Sequence, residues 1–77
     1  MLYDKLSMWT IYDHPRDYPD HYVAVRWEIG RDGEPHRTNE VLACPFVEPL
    51  RDYLAQHGLT PLMRNTEDDP TIMETWI

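Results

Sequence analysis

The chain has 77 residues, of which 42% are hydrophobic and 12% aromatic, so it is predicted to fold as one domain spanning residues 1–77 and not to be disordered. Seven basic and fourteen acidic residues give a net charge of −7. Because nucleic-acid affinity comes mainly from Lys and Arg, this balance argues against direct binding of DNA or RNA.

Nothing in the sequence points to a membrane or to secretion. The N-terminal residues lack the basic start and apolar run of a signal peptide, and no segment reaches the roughly 20 apolar residues that cross a bilayer. Cys44 is the single cysteine, so no intramolecular disulfide can form and a reducing compartment is expected. These features predict a cytoplasmic protein that does not bind membranes.

The first two strands are predicted from alternating apolar residues. Residues 7–13 alternate Met8, Thr10 and Tyr12 with Trp9 and Ile11, a pattern that fits a pleated, half-buried surface. The second segment, residues 22–29, alternates more clearly. Its apolar side chains share one face, which we expect to point inward: Val23, Val25, Trp27 and Ile29.

A turn and a third strand are predicted next. Residues 30–35, "GRDGEP", contain two glycines and a proline, which is typical of a hairpin connection. Residues 36–43 alternate weakly, and we expect them to form a strand at the edge of the sheet.

Residues 45–59 have the apolar spacing of a helix, with a stripe formed by Val47, Leu50 and Leu54. Proline is tolerated only in the first helical turn, so the helix should begin between Val47 and Pro49. Gly58 is placed to end it in the left-handed conformation, with Leu59 folding back on the stripe.

The last part of the chain predicts two more strands. Residues 59–64 are interpreted as an extended segment, residues 65–70 as a polar turn and residues 71–77 as a terminal strand. The complete order is β-β-β-α-β-β. We therefore expect an α+β fold in which one short helix packs on one face of an antiparallel sheet of four to five strands.

Two stretches carry a resemblance to known sequences. "TIYDHPRDYPDHYVAVRW" and "GLTPLMRNTEDDPTIMETWI" resemble a group of small, uncharacterised bacterial and phage-borne proteins. Those proteins share a Tyr-x-His-Pro-x-Asp-Tyr-Pro opening and an Asp-Asp-Pro segment followed by Glu-x-Trp. The resemblance implies a free-standing small domain and names no activity.

The connection between the first two strands holds the densest cluster of side chains that could bind a metal or take part in catalysis, namely Asp13, His14, Asp17, Tyr18 and His21. One interpretation is a rigid turn, because Pro fixes the backbone and Asp can hydrogen-bond its own main chain. The alternative is a metal or hydrolytic site, with His14 and His21 as candidate ligands. The sequence leaves open whether the peptide bond before Pro19 is cis.

Three other features have both a structural and a functional interpretation. Cys44 with His36 or His57 offers a thiol and an imidazole, although a free Cys is more often a small buried hydrophobe. The adjacent carboxylates at residues 67–70 could do acid-base work or bind a hard cation, although a solvated turn is the simpler interpretation. Trp27 and Trp76 are core candidates, but a tryptophan left exposed would mark a protein interface.

The favoured hypothesis is a non-enzymatic protein-interaction module without a cofactor. One form of it is a homodimer joined through a sheet edge or an exposed sheet face. The alternative is an acidic inhibitor that imitates nucleic acid toward a nucleic-acid-binding protein. That alternative requires the acids of residues 39–77, which carry a net −5 against −2 for residues 1–38, to form a continuous stripe.

Overall fold

The computed structural model describes residues 6–62 and 71–77, and in them five strands and one helix follow the predicted order. The elements are β1 Leu6–Asp13, β2 Tyr22–Ile29, β3 Pro35–Cys44, α1 Val47–Gln56, β4 Pro61–Leu62 and β5 Ile72–Trp76. This confirms the predicted α+β fold. The predicted turn at residues 65–70 lies outside the described residues.

All five strands form one sheet in the order β3-β2-β1-β5-β4. Each neighbouring pair is antiparallel. The predicted edge position of the third strand is confirmed, and the two-residue β4 forms the opposite edge. The terminal strand β5 pairs with both β1 and β4, so the C-terminal segment is held within the sheet.

The hairpin between β2 and β3 is closed by its predicted turn residues. Gly33 adopts a positive φ of 79°, which glycine tolerates without a steric cost. The backbone N–H of Glu34 donates to Asp32 Oδ1 at 3.0 Å, and this hydrogen bond lowers the pKa of the Asp32 carboxyl below its ordinary value. The aspartate therefore acts as a local brace for the turn.

Helix α1 begins at Val47 and places Pro49 in its first turn, as predicted. Its C-terminus has the predicted left-handed glycine, since Gly58 has a φ of 81°. The N–H of Leu59 donates to the carbonyl of Leu54 at 3.1 Å, and the N–H of Gly58 donates to that of Ala55 at 3.0 Å. These two bonds define a Schellman motif, which satisfies carbonyls that the helix leaves free.

Replacing Gly58 by Ala is expected to lower the free energy of unfolding by about 1 kcal/mol, because a side chain at positive φ is strained even where there is space around it. Urea denaturation followed by circular dichroism measures the change. Gly58→Asn is the matched control, since Asn tolerates the left-handed conformation better, and it should lose less. Equal stability of all three proteins would contradict the proposed strain.

The hydrophobic core lies between α1 and one face of the sheet. It consists of Trp9, Ile11, Ala24, Leu50, Leu54 and Trp76. Ala24, Ile11 and Leu54 are fully buried. On β2 the core residue is Ala24, which lies between Val23 and Val25 of the stripe that was expected to face inward. The helix therefore covers the opposite face of β2 from the one predicted.

The topology explains this difference. Because each pair between them is antiparallel, β3 and β4 run in the same direction, so α1 forms a crossover between like-directed strands. The handedness of such a crossover decides which face the helix covers. Alternation within one strand contains no information about handedness. On the helix side β2 contributes only Ala24 to the buried core, whose other strand residues come from β1 and β5.

Candidate functional site

The connection between β1 and β2 is a compact double turn. The N–H of Tyr18 donates to the carbonyl of Pro15 at 2.9 Å, and the N–H of His21 donates to that of Tyr18 at 3.1 Å. A third bond, from the N–H of His14 to the carbonyl of His21 at 3.1 Å, closes the loop. The Tyr18–Pro19 peptide bond is trans. The predicted rigid turn is therefore present.

The two histidines of this turn contact different neighbours. His14, with a positive φ of 49°, has its Nδ1 against the Asp13 carboxylate, and its ring centroid is 4.8 Å from that of Tyr22. The His21 ring is 6.4 Å from the Tyr18 ring in an edge-on contact. Within residues 6–62 and 71–77, no three His, Cys, Asp or Glu side chains lie together as a metal-binding group. The metal hypothesis gains no ligand set from this geometry.

The turn also covers one end of the sheet face that lies away from the helix. Pro15, Asp17 and Tyr18 line a hollow of about 120 Å³ together with Val23 and Val25. Both valines are buried, with exposed fractions of 3% and 2%. The buried stripe predicted for β2 is thus confirmed at its first half, although a loop covers it and not the helix.

We call the sheet face away from α1 the open face. From the strand registers it contains, in addition to Val23 and Val25, the side chains of Met8, Thr10, Tyr12, Trp27, Ile29, Arg37, Val41, Ala43, Leu62, Ile72 and Thr75. Beyond the turn, no described segment covers these residues. An apolar sheet face left without a second layer is typical of a contact surface.

The most apolar part of the open face is a hollow of about 640 Å³ near the ends of β1, β2 and β5. It is lined by Ser7, Met8, Ile29, Thr60, Leu62 and Ile77. Leu62 is 45% exposed and Ile77 is 53% exposed. Large aliphatic side chains left this accessible, side by side on one face, are available to another molecule.

Two tryptophans named as candidates occupy contrasting environments. Trp76 is buried in the core, and its Nε1–H donates to Glu74 Oε1 at 2.9 Å. Trp27 lies partly exposed on the open face, and its Nε1 is buried without a hydrogen-bond acceptor. A buried donor without a partner costs about 1–3 kcal/mol. The site residues predicted from sequence are therefore divided, because Trp76 belongs to the core whereas Asp17, Tyr18 and Trp27 belong to the open face.

Charged side chains are concentrated on the helix side of the sheet. Arg26 Nη1 donates to Glu40 Oε1 at 3.2 Å, and Arg51 contacts both Glu48 and Glu74. Three of the four described acids in residues 39–77 are thus interleaved with arginines, the exception being Asp52. The four described acids of residues 39–77 therefore do not by themselves form the continuous acidic stripe that the inhibitor hypothesis requires.

The outer edge of β3 is poorly suited to pairing with another strand. The register with β2 shifts between Val25 and Trp27, and within that bulge the Thr38 hydroxyl donates to the carbonyl of Arg26 at 2.8 Å. Pro35 at the start of the strand has no N–H to offer. Bulges, prolines and charged residues are the usual means of blocking an edge. The β3 edge is therefore a poor candidate for the edge contact that the sequence analysis considered.

Cys44 has a structural environment. It is partly buried and packs against the core beside Leu42 and Tyr22. His36 lies at the other end of β3 and is 3.4 Å from Asp32. The Nδ1 of His57 is 2.8 Å from the carbonyl of Tyr53, at the C-terminal end of α1, where an imidazole interacts favourably with free helix carbonyls.

Sequence reasoning did not single out several open-face residues, among them Met8, Ile29, Arg37, Leu62 and Ile77. The available signal was the apolar character of both faces of β1, where Met8 and Tyr12 alternate with Trp9 and Ile11. A strand that is apolar on both faces needs cover on both, and the chain has one helix in its described part.

No helix in the described residues has the length and apolar content that crossing a membrane requires. Comparisons with protein-family models, with curated proteins and with solved structures gave no match to this chain.

Proposed function

We propose that this chain is a small non-enzymatic module that works by binding protein, and that the open face is its contact surface. The proposal rests on an apolar sheet face that no described segment beyond the β1–β2 turn covers, and on which Leu62 is 45% exposed and Trp27 is partly exposed. Contiguous exposed apolar patches are uncommon on monomeric proteins and often mark a contact surface.

The chemistry of the open face favours a protein over other ligand classes. The hollow beside Leu62 and Ile77 is lined mainly by apolar side chains, and Arg37 is the one charged side chain that the described strand residues contribute to the open face. A nucleic acid would require several cations on one surface. Apolar and aromatic side chains with few charges are typical of the centre of a protein interface. The single Cys44 is consistent with action in the reducing cytoplasm.

Capture from a lysate of the natural host tests the proposal. The double variant Leu62→Ser/Ile77→Ser removes two accessible apolar side chains, each worth about 1.5 kcal/mol or more when buried by a partner. We expect recovery of bound proteins, measured by quantitative mass spectrometry, to fall at least tenfold (~1.4 kcal/mol).

Phe46→Ser is the matched control. Phe46 is 69% exposed and precedes α1, away from the open face. Proteins retained by the wild type and by this control, and lost by the double variant, support the proposal. Identical recovery on all three would rule out the open face as the contact surface.

A further inference from the structure

Two charged side chains that line the hollow beneath the β1–β2 turn have no partner among the described residues. Arg37 of β3 and Asp17 of the β1–β2 turn line the same hollow of about 120 Å³. Among the described residues, neither forms a hydrogen bond or an ion pair, and they do not pair with each other. Elsewhere on the sheet the arginines are engaged, as Arg26 is with Glu40. The open face thus presents one free cation and one free anion within its described part.

We infer that two copies of this chain stack their open faces about a two-fold axis, with Arg37 of each copy paired to Asp17 of the other. This inference rests on the proposed function and names its partner. In a two-fold interface a contact made by one residue with another is necessarily repeated in reverse. A single cation and a single anion on one face are therefore enough for two ion pairs.

The distribution of charge supports a second copy despite the net charge of −7. The acids of β2, β3 and β5 (Glu28, Glu40 and Glu74) lie on the helix side of the sheet. When two open faces meet, these carboxylates point away from the interface. The long-range repulsion between copies is then weakened by solvent and salt, while the apolar faces come into contact.

The size of the open face limits a dimer to a weak one. Three strands of eight to ten residues with two shorter neighbours, spaced about 4.8 Å apart, give a flat face of roughly 500 Å². Accessible surface exceeds flat area because side chains project from it. The smallest specific interfaces bury about 600 Å² per copy, so we expect a dissociation constant on the order of 10–100 µM.

Light scattering and sedimentation equilibrium on the purified chain, between about 10 µM and 1 mM (a range that brackets that constant), test the inference. We expect a reversible dimer. Arg37→Asp and Asp17→Arg should each weaken it at least tenfold, because each places like charges at both contacts. An equimolar mixture of the two variants should form a heterodimer of nearly wild-type affinity, since the mixed pair restores both contacts.

Asp52→Arg, a charge change of the same size on the exposed side of α1, is the control and should leave the dimer intact.

A wild-type chain that stays monomeric at the highest concentration overturns the inference, and so does a mixture that fails to re-form the dimer. If a variant does not fold, the concentration dependence of the wild-type Trp27 indole and Met8 methyl NMR signals decides, and constant shifts overturn the inference. Because no other protein is present, a negative result here leaves the capture experiment to judge the proposed function separately.

Discussion

Replacing Leu54 by Ala is expected to lower the free energy of unfolding by about 3 kcal/mol. Leu54 has an exposed fraction of 0% and joins α1 to the sheet core of Ile11, Ala24 and Trp76. Removing a buried leucine side chain in this way forfeits its transfer free energy and leaves a cavity, at a combined cost of about 2–5 kcal/mol.

The loss from Leu54→Ala should be a large fraction of the total free energy of unfolding. A domain of this length has a free energy of unfolding of roughly 4–12 kcal/mol, so the variant loses a substantial part of it. The midpoint of thermal unfolding should fall by roughly 10–25 °C, measured by calorimetry or circular dichroism. Leu62→Ala is the matched control, because the same atoms are removed from a side chain that is 45% exposed. A loss from Leu54→Ala no larger than that control would contradict the described core.

The position of Leu54 was predictable because helical spacing and the glycine stop depend on neighbouring residues alone. Gly58 and Leu59 form the helix end that local chemistry predicts. The bounds of β2 at Tyr22 and Ile29 agree with the alternation for the same reason. Those signals act over one or two turns of backbone, where the geometry of the chain is fixed by the residues themselves.

The choice of the covered sheet face was not predictable from those signals. Val23 and Val25 are buried as expected, yet α1 lies over Ala24. The helix side of β2 carries Tyr22, Ala24, Arg26 and Glu28, so alternation within β2 alone favours the other face. The crossover between β3 and β4 decides which face the helix covers. The candidate site depends on that decision, since the open face is by definition what the helix does not cover.

The division of aromatic residues follows from the same choice. Trp9 and Trp76 lie beneath the helix with exposed fractions of 6% each, whereas Trp27 lies on the face that the helix does not cover. The sequence contains three tryptophans, and its composition does not distinguish their environments. The topology places Trp9 and Trp76 under the helix and Trp27 on the open face, where its Nε1 is buried without an acceptor among the described residues.

Glu74→Ala is expected to lower the free energy of unfolding by about 2 kcal/mol, the second largest effect. Glu74 is the polar link between β5 and the helix. Its Oε2 accepts hydrogen bonds from Arg51, including one from Nε at 2.9 Å, and its Oε1 accepts the indole N–H of Trp76. The bond to Glu74 raises the pKa of the Arg51 guanidinium above its ordinary value, which shows that the carboxylate favours the charged form of its partner.

The magnitude follows from partial burial. Glu74 is 19% exposed and Arg51 is 33% exposed, so solvent weakens the pair without removing it. Charge-assisted hydrogen bonds contribute about 1.5–3 kcal/mol, and alanine also leaves the Trp76 N–H without an acceptor. Glu48→Ala removes the other carboxylate that contacts Arg51, but Glu48 is 71% exposed, and an exposed pair is worth about 0–1 kcal/mol.

Glu74→Gln separates the two roles of this side chain. An amide oxygen can still accept from Trp76 Nε1 but carries no charge for Arg51, so this variant should lose less than Glu74→Ala and more than Glu48→Ala. Urea denaturation of the three variants measures the order. If Glu48→Ala were as damaging as Glu74→Ala, the helix would be held to the sheet by its exposed ion pair and not by the half-buried one. If the expected order of stabilities is found, the main polar contact between α1 and the sheet is the Arg51–Glu74 pair beside Trp76, on the side of the sheet opposite the open face.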